Sequence, residues 1–109
     1  MITLPTVPVT VSPEAAARIA ELGRQAEVER MLEYVRSHVP ELVRIEVVLN
    51  ERYEEESPPG VAIDAYSQRP FDPADRTESE LCRWMVTTFP PEVLEHLHVW
   101  HYPETVHAR

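Results

Sequence analysis

The chain has 109 residues, enough for one domain and one hydrophobic core. Hydrophobic residues make up 43% and charged residues 27%, a balance that excludes wholesale disorder. Nineteen acidic residues against ten basic ones give a net charge of −9, which argues against a partner with a phosphate backbone and against an anionic membrane surface.

All ten basic residues are Arg and none is Lys, a bias that points to genome composition rather than to function. No basic cluster offsets the acidic mean. The single cysteine, Cys82, has no partner for an internal disulfide. No apolar run approaches the length of about 18 residues that a spanning helix needs. Together these features predict a reduced, cytoplasmic protein with no membrane and no nucleic-acid partner.

The expected unit is one α+β domain over residues 1–109, with 1–5 and 103–109 frayed. Eleven prolines cut the chain into elements. Thr6 to Val11 alternates Val7, Val9 and Val11 on one side, but Pro5 and Pro8 confine it to an edge strand or an extended arm. Ser12-Pro13-Glu14 starts a helix: a cap, a proline suited to the first turn, and an acid at the positive end of the dipole.

The helical run extends to about His38, where Val39-Pro40 disfavours continuation. It carries two apolar stripes, Ala15, Ile19, Leu22 and Ala26, then Val28, Met31, Leu32 and Val35. At 100° per residue these point to nearly opposite sides. The run therefore either breaks between Gly23 and Gln25 or touches two partners. One long or kinked helix is the favoured expectation.

Leu42 to Leu49 is the clearest strand, with Val43, Ile45, Val47 and Leu49 alternating against Arg44 and Glu46. An acidic loop from Asn50 to Pro59 follows. Its carboxylates lack the central glycine and alternating ligands of a calcium loop. Val61 to Ser67 is the next strand, with Val61, Ile63 and Ala65 inward and Asp64 and Tyr66 outward. The second helix starts at Asp72-Pro73 or at Thr77, where Thr77-Glu78-Ser79-Glu80 fits a capping box, and its stripe is Leu81, Trp84, Met85, Thr88 and Phe89. Cys82 on that helix is expected to be a small buried hydrophobe. Pro90-Pro91 ends the helix, and Leu94 to Tyr102 reads as the last strand.

The order β-α-β-β-α-β is that of the ferredoxin-like fold: an antiparallel sheet of three or four strands, two helices on one face, the other face open. On the open face this pattern gathers Arg44, Glu46, Asp64, Tyr66, His96, His98, Trp100 and Tyr102. Trp, Tyr and Arg are the residue types that dominate binding hot spots. Arg44, Tyr66, His98, Trp100 and Tyr102 are therefore expected to form a protein interface. The partner would be a second copy, making a homodimer by stacking of open faces, or a basic protein; the homodimer is the favoured expectation. The role expected is that of an accessory or regulatory subunit.

A competing reading uses His96 and His98, two residues apart on one strand face, with a carboxylate from Asp64 or Glu46, to hold a metal ion or form an acid–base pair. The chain has no Gly-rich phosphate loop, no Gly-x-Ser-x-Gly and no His-Glu-x-x-His. No cofactor is expected, and catalysis is not the favoured reading.

Overall fold

The computed structural model describes residues 7–50, 59–68 and 74–103. The acidic loop carrying Glu51 to Glu56 lies outside these residues. Among them, eight elements follow in chain order. Strand β1 is Val9–Val11, helix α1 Pro13–Leu22, helix α2 Gln25–His38 and strand β2 Leu42–Asn50. Strand β3 is Gly60–Ser67, helix α3 Thr77–Thr88, the short helix α4 Pro91–Leu94 and strand β4 Leu97–Pro103. Pro103, expected in a frayed tail, is thus the last residue of β4, paired with Ser67.

The helical run divides at Gly23. Ser12 caps α1, its side chain accepting the Ala15 N–H at 3.1 Å. Gly23 then takes a left-handed backbone, φ 65°. Its N–H donates to the Ala20 carbonyl, and the Arg24 N–H donates to that of Ile19. This is a Schellman ending, for which glycine carries no Cβ penalty. The favoured expectation of one long or kinked helix is corrected here. The turn reorients the chain so that Ala15 and Ile19 from α1 and Val28, Met31 and Val35 from α2 enter the same core. No second subunit is needed to explain the two stripes.

The sheet runs β1-β2-β3-β4 in space. β1 and β2 are parallel, β2 and β3 antiparallel, β3 and β4 parallel. The expected antiparallel, ferredoxin-like arrangement is corrected: the sheet is mixed, and no strand is inserted within either crossover. The physical reason lies in β1. Ferredoxin-like order puts the first strand in the centre of the sheet. A three-residue strand preceded by Pro8 fits an edge instead. The central places go to β2 and β3. Ile45, Val47, Val61, Ile63 and Ala65 from these strands are fully buried.

One core joins all four helices to one face of the sheet. Tyr34 of α2 and Trp84 of α3 stack across the helical layer, centroids 3.9 Å apart. Both crossovers step the same way along the sheet, over the same face, but start from antiparallel halves. They therefore have opposite hands, so one departs from the right-handed rule.

The start of α3 also differs in detail. Asp75 Oδ1 accepts both the backbone N–H of Thr77 at 2.9 Å and its hydroxyl at 2.6 Å. The N-cap is Arg76, which makes no side-chain cap, so Thr77 is the first helical residue rather than the cap, and Asp75 binds it from one residue ahead of the cap. Cys82 is exposed rather than buried, because the inward stripe of α3 is Leu81 and Met85, and Cys82 lies about 100° away from Leu81. Leu94 belongs to α4 and not to the last strand.

Candidate functional site

The strand register lays out, row by row, the face that the helices do not cover. Side chains on alternate strand positions share a face, so the buried set fixes the other. Ile45, Val47, Ile63, Ala65 and Leu97 look into the core. Arg44, Glu46, Asp64, Tyr66, His98, Trp100 and Tyr102 therefore look away from the helices. Across the strands, Arg44 pairs with Tyr66, and Tyr66 with Tyr102. The next row is Glu46, Asp64 and Trp100, followed by Ala62 and His98. All five residues expected at an interface share this face.

The first row is a continuous stack. The Arg44 guanidinium carbon lies 4.0 Å from the centre of the Tyr66 ring. The Tyr66 and Tyr102 rings stack at 5.3 Å, 23° from parallel. Arg44 Nε also donates to Glu46 Oε2 at 3.0 Å, which ties the first row to the second. His98 and Trp100 approach at 6.2 Å, 24° from parallel. Trp100 is 41% exposed and Tyr102 44%.

Asp64 is the polar centre. Its Oδ1 is buried and accepts no hydrogen bond from the described residues. Burial, and secondarily the adjacent Glu46 carboxylate, raise its pKa above the usual value. Burial also raises Tyr66, with Asp64 and Glu46 adding to the rise and Arg44 opposing it. Tyr102 is raised by burial, then by Asp64 and Glu78. Both phenols therefore stay protonated at neutral pH and can donate hydrogen bonds.

The residues of the metal reading are spread more widely. Glu46, Asp64 and His98 lie on the open face, but His96 precedes β4 in a turn. Its carbonyl accepts the Val61 N–H at 2.7 Å, and its Nε2 lies 4.0 Å from Glu95 Oε2. Among the described residues, no three His, Cys, Asp or Glu side chains gather as a metal-binding group.

A buried pair went unassigned in the sequence. Ser67 Oγ lies 2.6 Å from His101 Nε2, with Ser67 fully buried and His101 7% exposed. The signal was available: His101 shares strand parity with Leu97 and Val99, which puts it on the helix side. A serine with no exposed surface cannot meet a substrate, so the pair ties β3 to β4 rather than forming a nucleophilic site.

Comparisons with protein-family models, with curated proteins and with solved structures return no match. No helix among the described residues is long and apolar enough to cross a membrane.

Proposed function

We propose that this chain is a protein-interaction module, an accessory or regulatory subunit that docks a basic segment of a partner protein on the face of β2, β3 and β4 opposite the helices. The observation that carries this reading is Asp64 Oδ1, a buried carboxylate oxygen without a donor among the described residues, set between Glu46 and the exposed Trp100. A buried polar atom of this kind is costly unless a donor reaches it. Asp64 as a whole is half-buried rather than enclosed, so a turn of its carboxylate offers that oxygen to an Arg or Lys side chain from a partner. The rings of Trp100 and Tyr102 offer it cation–π contact as well. A net charge of −9 steers such a partner towards the chain.

The same features oppose face-to-face stacking of two copies. That arrangement would bring the Glu46–Asp64 pair of one chain against its counterpart. The test is the molar mass by light scattering at micromolar concentration, for wild type and Trp100→Ala. A single-chain mass for wild type is expected. A wild-type dimer that Trp100→Ala splits would make the occupant of this face a second copy.

A further inference from the structure

The open face continues around the free edge of β4 into a cavity of about 360 Å³. Trp100 and His98 stand at its rim, and Met85, Val86, Leu94 and Leu97 give it apolar walls. Val86, at the edge of this hollow, is 62% exposed. Glu78 is the one carboxylate among the lining residues.

The hydrogen-bond pattern of β4 shows which backbone groups its outer edge presents. The His96 carbonyl points to β3, where it accepts the Val61 N–H. The His101 N–H points the opposite way, to Glu78 Oε2 at 3.2 Å. In a parallel pair alternate residues bond to the neighbour, so Leu97, Val99 and His101 turn their backbone groups outward. Leu97 is 1% exposed, and the His101 N–H is already bound to Glu78. Val99, half-buried in the cavity lining, is left with an outward N–H and C=O that nothing among the described residues pairs.

We infer that the cavity takes a bulky apolar side chain of the partner segment, whose backbone bridges to Val99 and whose next residue is the Arg or Lys that reaches over Trp100 to Asp64. This inference rests on the open-face reading and adds the second half of the recognition element. The adjacency follows from strand alternation. A residue paired beside Val99 sends one side chain to the helix face, into the cavity, and the next to the open face. Asp64 sits across from Trp100, so it is two strand spacings from the added segment, or about 10 Å. An arginine side chain and an aspartate side chain together span that gap. The acidic lining residue and the acidic open face both favour a basic segment over a second copy of this chain.

The test compares three capped tetrapeptides, Gly-Leu-Arg-Gly, Gly-Gly-Arg-Gly and Gly-Leu-Gly-Gly, titrated into the ¹⁵N-labelled chain. The Leu-Arg peptide is expected to bind about tenfold or more tighter than the Gly-Arg peptide, the effect of burying one leucine side chain. It should shift the amides of Cys82, Val86 and Val99 together with those of Asp64 and Trp100. Val86→Phe and Cys82→Phe fill the cavity from exposed positions and leave the fold intact. Either variant is expected to abolish the leucine effect and keep the arginine effect. Equal affinities for the Leu-Arg and Gly-Arg peptides, with shifts confined to the open face, overturn the cavity inference and leave the open-face reading standing. No shift on the open face with any peptide overturns both.

Discussion

Glu46 and Asp64 stand directly opposite each other on neighbouring strands, two carboxylates on the face that the helices leave bare. Like charges at that separation destabilise a sheet. The cost is reduced where Asp64 takes a proton, which is the direction in which burial and Glu46 shift it. The sign of the pH dependence follows. Asp64 holds its proton more tightly in the folded chain than in the unfolded one. Its favourable contribution is complete below the usual value of 3.8 and is lost as pH rises through the higher folded-state value. In Asp64→Asn that loss disappears. The stability of the variant relative to wild type should therefore increase from acid towards neutral pH, as read from urea midpoints across a pH series. A pH-independent difference would contradict this.

The Tyr34–Trp84 stack holds the two helical pairs together over the sheet. The rings are 12° from parallel, and Phe89 meets Trp84 edge-on at 5.3 Å. A double-mutant cycle with Tyr34→Leu and Trp84→Leu should give a coupling energy of about 0.5–1.5 kcal/mol in denaturant unfolding. Additive losses would mean that the stack contributes no more than the burial of each ring.

The two glycines should respond to alanine for different reasons. At Gly23 an added Cβ meets nothing within 4 Å, so the cost of Gly23→Ala is the left-handed backbone alone, about 1 kcal/mol. Gly23→Asn should recover much of it, since Asn tolerates that conformation. At Gly60 an added Cβ would sit 2.8 Å from the His96 carbonyl oxygen, the acceptor that starts the β3–β4 pairing. Gly60→Ala should cost about 1–3 kcal/mol through displaced backbone. Gly60→Asn should recover none of it. Thermal or urea unfolding of the four variants separates the two causes.

Ser67→Ala should leave His101 Nε2 without its 2.6 Å partner in a buried site. The expected loss is about 1–3 kcal/mol of stability, with β4 weakened at its C-terminal end. A change within about 0.5 kcal/mol, the range of ordinary surface substitutions, would show that the pair contributes little.

Much of this arrangement was legible in the residues themselves. The alternation of Val61, Ile63 and Ala65 with Asp64 and Tyr66 placed the outward row correctly, because a strand admits only two parities. The expected helix end near His38 was met as well. The strand order was harder, since element order alone does not say which strands are neighbours. Even so, Pro8 had already confined the first strand to an edge, which is incompatible with the central place that ferredoxin-like order requires. The break at Gly23 was left open by propensity, because Ala, Glu and Arg on both sides favour helix equally. Only the packing of both stripes into one core decides for the turn. The extra helix Pro91–Leu94 was hidden by its length, since four residues carry no period. The Asp64 environment depends on cross-strand register, which the sequence pattern did not fix. It could name the residue but not its missing donor.

The measurement that tests the docking surface most directly is a ¹H–¹⁵N shift map of the chain titrated with tetra-arginine at physiological ionic strength, with tetra-glutamate as control. Salt at that level screens contacts that are merely acidic and exposed. The expected result is a cluster of shifts at Asp64, Tyr66, Trp100 and Tyr102 with tetra-arginine alone, lost in Asp64→Asn. Shifts scattered over Glu14, Glu29, Glu92 and the other surface acids, with the open face unmoved, would contradict a docking site there.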